Sequence, residues 1–84
     1  MPMTKAKLIA TLNRMTSDME EARQVIETEK DERREEWDGK SERYQESDRG
    51  VAAEGIIDQL ESLYDSIDNI VTELEDLKSE LEAE

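Results

Sequence analysis

The chain contains no Cys, no His and no Phe, and it has one Trp, two Tyr, one Pro and three Gly. Without Cys or His there is no thiol nucleophile, no disulfide staple, no zinc or haem ligand of the usual kind and no neutral-pH imidazole shuttle. Carboxylates abound, but none stands in a Glu-x-x-His motif. Ser41 and Ser47 have no base to activate them. There is no P-loop and no dinucleotide fingerprint, and Asp65 and Asp68 lie on a helical stretch without the glycine of a calcium loop. These absences argue for a non-catalytic protein with no metal site and no cofactor.

Long apolar runs are missing too. No stretch approaches the ~18 residues of a membrane span, and "MPMTKAKLIA" lacks the apolar core of a signal peptide. The expected location is the cytoplasm. Eighty-four residues allow one small domain, whose core is marginal without staples or partners.

Charge is what the sequence has in excess. The net charge is −13, spread unevenly: residues 1–49 carry ten basic and thirteen acidic groups, a net of −3, and residues 50–84 carry one basic and eleven acidic, a net of −10. Duplex DNA and anionic membranes are repelled by most of such a surface. A basic protein, or a small anion held in the one basic region, remains compatible.

The second half carries the clearest pattern. One heptad register puts Ala53, Leu60, Ile67, Leu74 and Leu81 at a, Ile56, Leu63, Ile70 and Leu77 at d, and Ile57, Tyr64 and Val71 at e. Four heptads with three apolar columns describe a helix with a broad buried stripe, capped at Ser47 with Asp48 in the first turn. In the first half Leu8, Leu12, Met15, Met19, Ala22 and Ile26 alternate at spacings of four and three, flanked by Ile9 and Val25, after a cap at Thr4. Met15 and Met19 read as core. Gly39 is expected to end the helix in a left-handed cap.

The fold class that follows is all-α: an antiparallel two-helix, coiled-coil-like hairpin spanning 1–84 as one domain. Helix 1 covers about 4–37, a polar turn about 38–47 and helix 2 about 48–82. One hairpin cannot cover so wide a stripe. The spare e face points to homo-oligomeric assembly into a bundle.

The turn region, "DERREEWDGKSERYQESDRG" over 31–50, departs from this pattern. Helix 1 has no apolar residue from 27 to 36, and with a reversal near 42–43 its charged seam faces the small residues of "GVAAEG". The result is either a salt-bridged hairpin end or a lined cavity. Arg33, Lys40, Arg43 and Arg49 offer cations for phosphate. Trp37 and Tyr44 offer stacking faces, and Gln45 and Ser47 offer hydrogen bonds. The N-terminus of helix 2 favours an anion, with Gly50 allowing close approach. These parts suit a small anionic nucleotide, and doubled by a two-fold axis they suit a cyclic dinucleotide. Against this stands the plainer reading of a solvated charged face with Trp37 as a plug over the core.

The same stretch resembles, without gaps, a pattern in small acidic proteins encoded by phages and prophages. Their run reads roughly D-E-E-Q-E-x-(aromatic)-D-N-x-P-E-x-L-Q-x-S-E-x-G, followed by an acidic helix of repeating "ID-x-L" character. The matching positions are Asp31, Glu32, Glu35, Trp37, Asp38, Glu42, Gln45, Ser47 and Gly50, followed by "IIDQLESLYDSIDNI". Ser41 stands where that pattern has Pro, and Lys40 and Arg43 add positive charge. The resemblance implies a phage setting, and with it the cytoplasm of the host cell, in which such proteins often act stoichiometrically against host defence. The site chemistry points to the sponge proteins, which sequester cyclic nucleotide signals. The expected function is therefore anti-defence sequestration of a small anionic nucleotide. The alternatives are an acidic inhibitor or nucleic-acid mimic that binds a basic host protein, and a structural coiled-coil module.

Overall fold

The computed structural model describes residues 4–84; the first three residues of the expected domain lie outside it. Three helices follow in order, α1 (Lys5–Asp38), α2 (Glu42–Glu46) and α3 (Asp48–Ala83). The long helices α1 and α3 pack against each other as an antiparallel hairpin 59 Å long and 20 × 17 Å in section. Its radius of gyration is 18.6 Å, against about 12 Å for a compact domain of this length.

Capping fixes where the helices start. The Thr4 hydroxyl accepts from the Lys7 N–H at 3.1 Å, the Ser41 hydroxyl from the Tyr44 N–H at 3.2 Å and the Ser47 hydroxyl from the Gly50 N–H at 3.1 Å. Each satisfies one of the free N–H groups of a helix's first turn. The end of α1 differs from expectation. Gly39 is right-handed, with φ −79° and ψ −8°, and no described residue has positive φ. Its N–H donates to the Glu35 carbonyl at 3.1 Å, and that of Lys40 to the Trp37 carbonyl, also at 3.1 Å. The chain thus tightens and continues in a right-handed sense into α2, a one-turn helix where the sequence suggested an irregular turn.

Cross-helix partners place the reversal near residue 45, inside α2, a few residues later than expected. Arg23 meets Asp68, Arg34 meets Glu54 and Asp58 at 3.6 Å each, and the Lys30 ammonium lies 5.2 Å from the centre of the Tyr64 ring.

The core itself requires a correction. The columns of α3 that face α1 are a and e, not a and d. Ile57, Ile67, Val71 and Leu74 are buried, with Leu12 opposite on α1. The d column (Ile56, Leu63, Ile70, Leu77) is 39–45 % exposed, so the spare face lies at d and not at e. The same rotation on α1 turns Thr16, Arg23, Lys30 and Trp37 partly inward and leaves Met15 41 % and Val25 62 % exposed. Met15 is therefore no core residue, although Met19 is half-buried. Both column pairs have the alternating spacing of three and four that a seam needs. Turning e inward also brings the carboxylates of Glu54, Asp58 and Asp68 within reach of Arg34 and Arg23, which the d-inward rotation forfeits.

Candidate functional site: an aromatic and cationic notch at the turn

At the turn end the hairpin is held by a latch. The Trp37 indole N–H donates to the Gly50 carbonyl at 2.8 Å, tying the last turn of α1 to the first turn of α3. The Gln45 amide donates to the carbonyls of Trp37 at 3.0 Å and Lys40 at 3.3 Å, closing the loop between α1 and α2. The Ser47 hydroxyl donates to the Tyr44 carbonyl while it caps α3. Gly50 is buried because the α2 backbone lies on it: a Cβ there would stand 2.0 Å from the Tyr44 oxygen and 2.8 Å from the Gln45 Cα. The close approach that glycine permits at this position is made by the chain's own α2.

Beside the latch is a notch of about 150 Å³ lined by Arg33, Glu36, Trp37, Lys40, Tyr44 and the seam residues Ala53 and Ile57. Its floor is open because α1 offers no apolar side chain between Ile26 and Trp37 while α3 offers a small residue, Ala53. Arg33 is held by Glu29 at 2.7 Å, one helical turn back, and Lys40 lies 4.0 Å from Glu36 and 5.6 Å from the Tyr44 ring centre. Arg34 packs 5.8 Å from the Trp37 ring but directs its guanidinium to Glu54 and Asp58, away from the notch. The charged seam thus forms ion pairs across one face of the hairpin and a lined cavity on the other.

Of the eight residues expected at a site, the structure brings four together: Arg33, Trp37, Lys40 and Tyr44. Gln45 and Ser47 stand next to them but spend their polar groups on the latch. Arg43 and Arg49 are exposed and line no part of this notch. Glu36 and Ile57 were not anticipated, and Ala53 only as one of the small residues facing the charged seam. Glu36 lies one turn before Lys40, a spacing that could have flagged it; Ile57 reads in sequence as part of the spare e face. Trp37 is both anchored by its N–H and exposed along part of its ring, so plug and platform are not exclusive.

Among the described residues no group of acidic side chains is arranged to hold a metal ion, and no helix is long and apolar enough to cross a membrane. Comparison with protein-family models, with curated proteins and with solved structures gives no match for this chain.

Proposed function

We propose that this chain is a non-catalytic, homo-oligomeric binding protein that captures a small anionic nucleotide at the turn-end notch, acting as a stoichiometric sponge for a host signal. The observation that carries this reading is the convergence of two aromatic rings and two cations on one notch. A base stacks on the exposed part of Trp37 or on Tyr44, which contributes about 1–3 kcal/mol per base. Phosphate oxygens replace the carboxylates now beside Arg33 and Lys40. Those pairs are exposed, worth no more than about 1 kcal/mol each, and give way readily. The Glu36 carboxylate, left free by that exchange, accepts from a base amino group. Gln45 and Ser47 support the site as scaffold.

The test is a thermal-shift panel of cyclic dinucleotides, cyclic trinucleotides and ADP-ribose compounds. At 100 times its Kd a ligand adds ~2.7 kcal/mol to stability. Arg33→Glu and Lys40→Glu are expected to keep the fold and lose the shift. If no compound shifts the protein, or if both variants respond as the parent does, the ligand reading is wrong.

A second reading is favoured by α3, whose exposed face carries Asp58, Glu61 and Asp65 within a segment of net −10. That face suits a basic protein partner. Salt-sensitive capture of such a partner, weakened by Asp58→Lys, Glu61→Lys and Asp65→Lys, is its signature. If neither nucleotide nor basic protein binds, the structural module remains.

A further inference from the structure

The exposed d column of α3 has unusual flanks. From 52 to 69 its neighbours on the same face are Ala52, Gly55, Gln59, Ser62, Ser66 and Asn69, none charged, in a chain that is 42 % charged. Depletion of charge around an apolar strip marks the centre of a protein interface, not a solvated helix face. On α1 the same face continues through Met15, Ala22 and Val25, and a groove between the helices is lined by Ala22, Val25 and Leu63 together with the acids Asp18 and Glu21. The amount of surface agrees. A compact protein of this mass exposes about 5,100 Å², whereas this chain exposes 6428 Å². The excess of roughly 1,300 Å² exceeds the ~800 Å² that each partner buries in a standard stable interface.

We propose that a second copy of this chain covers this face, with the two-fold axis running along the helices, so that the two turn ends lie together and their notches join into one site. Charge selects this arrangement over the one with the turns at opposite ends. With the axis along the bundle, α1 of one copy lies over α3 of the other at the level it already holds in its own hairpin. The cations on the open face of α1, Lys7 and Arg14, then meet Glu73, Asp76 and Glu80 of the second copy's α3, against one like-charged meeting, that of Asp18 with Glu73. The acids Glu21, Glu29 and Glu32 meet its uncharged stretch. With the axis across the bundle, α1 lies on α1 and α3 on α3; Arg14 then meets the acids around Glu32 and Glu36 of the second copy's α1, but the acidic ends of both α3 helices go uncompensated, since Lys78 is the one cation of that helix beyond its first turn.

The notch lies on the same face. Glu36 follows Met15, Ala22 and Glu29 at steps of seven, so the notch opens toward the second copy. At about 150 Å³ it is half the ~300 Å³ at which enclosed ligand sites begin. Two such notches across the axis reach that size. The register also sets Arg49 of the second copy, which lines no part of its own notch, over the Lys40 end of the first notch. This last step rests on the ligand reading of the notch; the dimer does not.

The test uses the full chain carrying one nitroxide label at Asp38→Cys, an exposed position at the end of α1 outside the latch and notch. Helices 8–10 Å apart keep labels at one end of a bundle within about 35 Å of each other. Turns at opposite ends separate them by a distance approaching the 59 Å length of the hairpin. A label distance under 35 Å supports the proposal. A distance well beyond 35 Å overturns the shared end, and absence of any dipolar coupling at high concentration overturns the dimer. Sedimentation of Leu63→Asp/Ile70→Asp gives a second reading: a helical monomer supports the assigned face, and an unchanged dimer refutes it. If the double variant fails to fold, Leu63→Ser alone is used, with at least a tenfold weaker association expected and unchanged association refuting it. Titration with cyclic di-AMP and cyclic di-GMP then separates the two readings. One nucleotide per two chains supports the joined site, and one per chain overturns it. Absence of binding removes the ligand reading while the label distance still decides the dimer.

Discussion

Gly50→Ala isolates the latch. An added Cβ meets the Tyr44 carbonyl oxygen at 2.0 Å, the Gln45 Cα at 2.8 Å and the Gln45 oxygen at 2.9 Å, all backbone atoms that cannot swing aside like the tip of a side chain. Relief requires α2 to move off α3 by more than 1 Å, or α3 to rotate. Either motion strains the bonds from Trp37 to Gly50 and from Gln45 to Trp37. Overpacking of this kind costs about 1–3 kcal/mol, and each lost hydrogen bond about 1 kcal/mol. Opposing them, alanine in a helix is better than glycine by about 0.8–1 kcal/mol. The net expectation is a loss of about 2 kcal/mol. Gly55→Ala is the matched control at dilutions where the chain is monomeric: it lies on the same helix with nothing within 4 Å of its Cβ, so only the propensity gain of about 0.8–1 kcal/mol remains. The assay is urea unfolding followed by circular dichroism, at one protein concentration and with the association state of each variant checked, because association shifts apparent stability. The two substitutions must move stability in opposite directions. A Gly50→Ala protein as stable as its parent would mean that α2 does not rest on α3 and that the latch is not as described.

Further outcomes follow from the same geometry. Trp37→Phe keeps an aromatic plug but leaves the Gly50 carbonyl without its donor, and is expected to cost about 1–2 kcal/mol in the same unfolding assay. Ile57→Ala, at a side chain only 2 % exposed, is expected to cost about 2–5 kcal/mol. Arg23→Gln breaks an exposed pair with Asp68 and should cost no more than about 1 kcal/mol, shrinking further in high salt; a larger loss would show that this pair is part of the core and not its rim.

The helices and their caps are legible in the sequence because both depend on local chemistry. Thr4 and Ser47 are short side chains that compete for their own first-turn N–H groups, and the heptad spacing needs no tertiary information. The turn is legible only in part. The residues that converge on the notch follow from their position at the reversal, but the use of Gln45 and Ser47 inside the latch does not. An amide two residues before a cap serves a ligand or a carbonyl equally well until the path of α2 is known. Gly39 misleads for a related reason. Glycine permits the left-handed conformation without requiring it, and here Ser41 caps another right-handed turn two residues later.

The choice of seam is the deeper case, because three apolar columns at a, d and e fit two different hairpins equally well by periodicity alone. What separates them is the chemistry on each flank. Beside e stand Glu54, Asp58 and Asp68, carboxylates that gain from the arginines of α1 when e turns inward. Beside d stand Ala52, Gln59, Ser66 and their neighbours, which have nothing to offer those arginines. An antiparallel partner whose own inner column reads Thr16, Arg23, Lys30, Trp37 therefore selects e, and the neutral column is the one left outside. Comparing Val71→Ala with Ile70→Ala checks this reasoning on adjacent residues of similar chemistry. In dilute solution, where any dimer has dissociated, Val71→Ala should cost about 1 kcal/mol or more through lost burial, and Ile70→Ala clearly less despite removing more carbon. At high concentration the cost at Ile70 should rise while that at Val71 stays fixed. Equal costs in dilute solution would mean that α3 is rotated from the orientation described. A cost at Ile70 independent of concentration would mean that its column is covered within a single chain.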